Sequence, residues 1–347
     1  MNSSLSAQPW GSLPDGRAAH RWTLRNAMGM AVTISDLGGT LLSWDVPDRQ
    51  GRFGDVLLGH ATPDDYLKAT AFMGALVGRW ANRIRDGRFE LDGVIHKLDR
   101  NDGPNHLHGG FDGFHRKLWD VGTSEGALIV SLTSPEGDSG FPGEVHVRVT
   151  YALADDGTLS IDYEARTDAP TPLSLTSHPY FNLNDRRGDI RDHMIRIDAD
   201  AFLAIDATGI PVDLRSVAGS AFDFRTAAPV GARLLWPDEQ LRVSGGFDHC
   251  YVLNAPGKGL REVALVTDPA SGRQLAVSTD QAGLQFYTGQ KLAGSARREG
   301  GQYEAFAGFA LEAQAFPNQV NSPRSGEVIL KPGQTYRQST SYRISIG

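Results

Sequence analysis

Two residues of the sequence carry acid/base groups in unusual company. His178 lies in TSHPYFNL (176–183), between a stretch that reads as strand and two aromatics, Tyr180 and Phe181. Pro179 follows it, removing a backbone donor and biasing His178 toward an extended conformation that can aim its ring out of a sheet. Glu312 lies in FALEAQAFPNQVN (309–321), flanked by Phe309, Ala310, Leu311 and Ala313. A carboxylate in such surroundings must face solvent, be paired, or have its pKa raised by burial. An imidazole and a carboxylate together can give and take a proton. Bland readings stand beside these: a core histidine with satisfied nitrogens, and a solvent-facing Glu.

Three further stretches mix polar residues with glycine or aromatics. In GRWANRI (78–84), Asn82 and Arg83 interrupt an apolar run. They are either a turn Asn beside a solvated Arg, or paired donors for hydroxyl oxygens. NHLHGG (105–110) holds His106 and His108. In an extended segment the two would point to the same side, which also suits two metal ligands or a surface loop. GGFDHCYVL (245–253) sets Asp248 after two glycines, where a cap or turn role is the alternative to binding. A pocket built from these groups suits a sugar: aromatic faces pack on C–H surfaces, and carboxylates and Arg bind hydroxyls.

The elements that must position them are strands. Val145, Val147, Val149, Tyr151 and Leu153 alternate with more polar residues, ADDG follows as a turn, and Leu159, Ile161, Tyr163 and Ala165 alternate again. This spacing predicts a β-hairpin. Similar short strands read at MAVTIS, FELDGVIHKL, ALIVSL, HMIRIDA, EVALVTD, RQLAVST and YRISIG, and a short helix is expected within 63–76. No βαβ alternation occurs, which argues against a doubly wound sheet. The expected fold is all-β, one large antiparallel β-sandwich over 1–347, with 1–19 as a loosely ordered extension.

Composition narrows the function. The chain has 34 Lys and Arg against 41 Asp and Glu, a net charge of −7, and no basic block. Neither nucleic acid nor an anionic membrane is an expected partner. The single cysteine, Cys250, forms no internal disulfide, the start has no signal-peptide pattern, and no apolar run is long enough to span a membrane. A cytoplasmic location is expected.

These motifs, in their order, resemble the aldose 1-epimerase (galactose mutarotase) family. GRWANRI is similar to the family's G-R-x-A-N-R-I, NHLHGG to its L-H-G-G, and LTSHPYFNL to its L-T-x-H-x-Y-F-N-L. GFPGEVHVRVTYAL, GFDHCYVL, GLQFYTGQ and FALEAQAFPNQVN follow in the family's order. The match runs from about residue 20 to the C-terminus. It implies a galactose mutarotase-like supersandwich, a free aldose as substrate, and no cofactor or metal. It also implies His178 as general acid and Glu312 as general base, with Asn82, Arg83, His108, Tyr180, Asp248 and Gln285 binding the sugar. The expected assembly is a monomer or weak dimer. Pro179, Trp80 and His106 depart from many relatives and are candidates for altering sugar preference.

The implied reaction opens the ring by taking a proton from the C1 hydroxyl and giving one to the ring oxygen. Glu312 is then expected as carboxylate and His178 as imidazolium near neutral pH, with Asp248 raising the His pKa. The rival readings are a non-catalytic carbohydrate-binding sandwich, a metal enzyme using His106, His108, His178 and Glu312, and a hexose 6-phosphate mutarotase.

Overall fold

The computed structural model describes residues 5–256 and 259–347. Three sheets dominate, and every strand pair within them is antiparallel. The largest has nine strands and is built around the hairpin of Val145–Leu153 and Thr158–Thr167. Its register, Val145 opposite Thr167 through Leu153 opposite Leu159, puts the alternating apolar residues of both strands on one buried face. The C-terminal strand Tyr336–Ile346 pairs beside it, followed by Arg273–Thr279 and Arg261–Thr267, which are joined through the DPASG turn.

Two five-stranded sheets complete the frame. One runs from Gln8–Ser12 to Phe53–Asp55 in chain order. The other has the order Pro211–Ser216, Ala199–Ile205, Asp248–Leu253, Gly283–Tyr287 and Ala310–Gln314. The main hydrophobic cluster draws on side chains from Trp22 to Ile344, including Trp44, Val149, Phe222, Leu311 and Tyr342. The expected short helix is Pro63–Lys68, with Pro at its start and a reciprocal capping box between Thr62 and Asp65. No helix among the described residues is long and apolar enough to cross a membrane.

The N-terminus corrects one expectation. Gln8–Ser12 is not a loose extension: it pairs with Ala18–Arg25, and Ala19 is buried against Leu13 and Leu37. Polar residues and glycines in this segment hid a strand whose partners are supplied by the sheet. Residues 1–4 of the expected extension lie outside the described residues.

Candidate active site

The last three strands of the second five-stranded sheet set the carboxylate side of a cavity. Gln285 stands opposite both Cys250 and Glu312, and Tyr287 stands opposite Asp248 and Ala310. With a period of two, Asp248, Gln285, Tyr287 and Glu312 share one face. Tyr251, Leu284, Phe286, Leu311 and Ala313 take the other and join the core. The apolar neighbours of Glu312 in sequence thus serve the opposite face. Asp248 is neither cap nor turn residue; it begins a strand, and its Oδ1 accepts a 2.7 Å hydrogen bond from Gln285 Nε2.

His178 enters from another direction. It follows the two-residue strand Thr176–Ser177, which pairs with Leu76–Val77. Its N–H donates to Ala75 O, and its carbonyl accepts from Gly74 N. Beyond Pro179 the chain continues bonded, with Leu58 N donating to Tyr180 O and Phe181 paired to Phe309. The His178 ring stacks on Tyr180 at 4.9 Å, and its Nε2 lies 3.4 Å from Glu312 Oε1. Residues 134 positions apart in sequence thus meet, at 4% and 2% exposure.

A third set comes from the two-stranded pair Arg83–Ile84 and His106–Leu107. Asn82 and His108, just outside this ladder, both adopt left-handed backbone, at φ 64° and 50°. His108 therefore leaves the strand alternation, and the H-x-H pair splits. The His108 ring lines the cavity. His106 is fully buried elsewhere, against Phe141, with Nδ1 2.9 Å from Asp99 O. The expectation that both histidines share a side is overturned by this backbone turn, and with it the four-residue metal set. A group of three potential ligands remains, His108, His178 and Glu312, whose donor atoms lie within 4.8 Å of one another.

Arg83 reaches the cavity with its Nε donating to Asp102 Oδ2 at 2.7 Å. Its guanidinium lies over Gly209, where an added Cβ would come within 2.8 Å of Cζ. Burial opposes the Arg83 charge, but Asp248 and Asp102 outweigh it and raise its pKa. Arg79, four residues earlier, is structural: it is buried and donates to Ser134, Pro135 and Pro142 carbonyls.

The resulting cavity measures about 390 Å³ and takes in all the expected residues except Gln285, which touches it through Asp248. That volume lies within the range of about 300–1,000 Å³ found for small-molecule sites. Glu312 Oε2 and Gln285 Oε1 are buried without partners among the described residues. Phe72, His115, Asp102, Tyr287 and Lys291 also line the cavity or its mouth and were not expected from the sequence. Tyr287 could have been found, since it lies two residues after Gln285 on the same strand face. Phe72 sits in a loop and His115 in the single 3-10 turn Phe114–Arg116, where no periodicity marks them. Neither Trp80, Pro179 nor His106 lines the cavity, so the three departures do not meet a ligand directly.

The protonation state differs from the one expected. Burial, reinforced by Asp248, pushes the Glu312 carboxyl well above the usual carboxylate range, with Arg83 opposing. Burial takes His178 down to about 4, and Asp248 only partly offsets this. Burial thus favours the neutral form of each group, because desolvation acts against each charged form; Asp248 adds to this at Glu312 and only partly opposes it at His178. The neutral pair holds the same number of protons as the carboxylate–imidazolium pair.

A family model described as aldose 1-epimerase matches residues 20–343. The chain is 41% identical to aldose 1-epimerase of Escherichia coli over 335 residues, covering 95% of this chain and 96% of that one. The chain belongs to the aldose 1-epimerase family. It is also 41% identical to galactose mutarotase of Sus scrofa, over 99% of both chains. Among solved structures, galactose 1-epimerase from Lactobacillus acidophilus superposes with a TM-score of 0.86 at 29% identity, covering 99% of this chain and 100% of that one. As an aldose 1-epimerase the protein is an isomerase, and it interconverts the α and β anomers of aldoses.

Proposed function

We propose that the substrate is a free, neutral aldose of the galactose or glucose type and that His178 and Glu312 move the protons. The observation that carries this reading is the meeting of the two groups, 3.4 Å apart and buried, in the cavity. Glu312 takes the proton of the C1 hydroxyl while His178 gives one to the ring oxygen, which breaks the C1–O5 bond and leaves the open-chain aldehyde. Rotation about C1–C2 and closure with the roles exchanged deliver the other anomer.

The site reaches its charged form by moving one proton from Glu312 to His178, without exchange with solvent. A bound sugar favours that move. Its C1 hydroxyl donates to the carboxylate and its ring oxygen accepts from the imidazolium, and hydrogen bonds to the charged forms stabilise them. Arg83 and Asp248 balance the charge nearby. Glu312 Oε2 and Gln285 Oε1 are acceptors for sugar hydroxyls. Each proton-transfer group typically contributes about 10²–10⁴-fold.

The neutrality of the substrate follows from the cavity's charges. Asp102 and Asp248 face it, Arg83 is tied to Asp102, and Arg116 donates to Leu67 O. Lys291, at the mouth, is exposed. No built phosphate cradle results. The test is polarimetry on freshly dissolved α-galactose, α-glucose and glucose 6-phosphate at matched ionic strength. A higher kcat/KM for the free sugars supports the reading; a higher value for the phosphate overturns it.

A further inference from the structure

Asn82 and His108 hold each other by two hydrogen bonds. The N–H of His108 donates to Asn82 O at 3.1 Å. In return, the main-chain N–H of Asn82 donates to His108 Nδ1, also at 3.1 Å. Both residues are buried, and both take the left-handed conformation that lets the ladder end in this closed pair. The second bond is informative because a backbone N–H can only donate. It needs an acceptor, so His108 Nδ1 must carry a lone pair and not a proton. Turning the ring over would set a C–H against the Asn82 N–H and leave a buried donor unpaired, at about 1–3 kcal/mol.

We propose that the main chain of Asn82 locks His108 as the Nε2–H tautomer, so that His108 is a fixed neutral donor to the sugar and neither a proton-transfer group nor a metal ligand. This rests on the active-site reading above. It separates two histidines that sequence and proximity leave equivalent, their ring centres being 5.3 Å apart. Protonating His108 would turn the Nδ1 contact into N–H against N–H. Burial and the neighbouring His178 and Arg83 also keep it neutral. The proton-transfer role then falls to His178 alone.

The same bond decides the metal question. A zinc-bound histidine ligates through one nitrogen and usually donates its other N–H to a carbonyl or carboxylate. At His108 the second nitrogen faces a donor instead, so the nitrogen left for an ion carries the proton. His108, His178 and Glu312 match a two-His, one-Glu zinc set in residue type but not in tautomer.

The test is two-bond ¹H–¹⁵N correlation NMR on protein labelled at histidine. The expected result is a His108 signal pair with Nδ1 unprotonated and Nε2 protonated, unchanged across the neutral range and unmoved by added zinc chloride. Asn82→Gly keeps the N–H and suits the φ of 64°, so the tautomer should persist even where sugar affinity falls. His108→Gln keeps a donor near the Nε2 position and should lose about 10-fold in kcat/KM, with the acid limb of the pH profile in place. An Nδ1–H tautomer, a titrating imidazolium, or zinc-induced shifts at His108 and His178 would overturn the proposal. So would loss of the acid limb in His108→Gln. The NMR readout does not depend on turnover, so absence of mutarotation would defeat the functional reading while leaving this one to be judged separately.

Discussion

Acid should destabilise this protein well before its carboxylates titrate. Burial holds His106, His178, His193 and His249 each at about 4. Two of them use a nitrogen lone pair in the fold: His193 Nε2 accepts from Leu183 N, and His249 Nδ1 accepts from Asp248 N. In the unfolded chain the same groups titrate near about 6.5. Between these values the unfolded state binds more protons, so stability falls as pH falls through the window from about 6.5 to about 4. At about pH 5 each histidine then withdraws about 2 kcal/mol relative to neutral pH. Glu312, whose carboxyl burial pushes up, works in the opposite sense and offsets the His178 share, so the other three withdraw roughly 6 kcal/mol, comparable with the whole stability of a typical domain, about 5–15 kcal/mol. Urea unfolding followed by tryptophan fluorescence at about pH 7.5 and about pH 5 measures this directly, and the midpoint should drop steeply. Equal midpoints at the two pH values would refute the neutral, buried state assigned to these histidines.

Three other perturbations separate fold from site. Gly109→Ala should unfold or strongly destabilise the chain, by about 3 kcal/mol or more, because φ is 88° and the new Cβ would lie 1.8 Å from Gly78 O; thermal or urea unfolding reports it. Arg79→Leu should cost a similar amount, about 3 kcal/mol or more, by stranding the carbonyls of Ser134, Pro135 and Pro142. Any folded fraction should keep its KM, since Arg79 does not line the cavity. Exhaustive chelation should leave mutarotation unchanged, and loss of activity restored by zinc would contradict the donor role of His108.

What the sequence revealed and what it hid have physical reasons. Period-two alternation survives folding, so the hairpin at 145–167 was legible, whereas the short strand that turns Leu311 and Ala313 to the core and Glu312 to the cavity was not singled out. His178 was marked by its aromatic neighbours and by Pro179. The divergence of His106 from His108 was not legible, because it depends on one backbone torsion, φ 50° at His108, that no side-chain pattern announces. Phe72 packs against His108 at 4.8 Å and His115 at 4.6 Å through a loop whose path only the assembled sheets define. The burial that favours the neutral forms of Glu312 and His178 was hidden for a related reason. Nearby charge can be guessed from motifs, but the depth of burial that outweighs it belongs to the folded cavity.

The assignment of Glu312 and His178 as the proton-moving pair is tested most directly by one comparison: the optical rotation of freshly dissolved α-galactose followed with the wild-type protein and with Glu312→Gln. The substitution keeps the size of a side chain that is 2% exposed and removes its ability to take a proton. The account predicts rapid mutarotation by the wild type and a loss of at least about 10²-fold in the variant, with its unfolding transition intact. Near-wild-type turnover by a folded Glu312→Gln protein would contradict the mechanism.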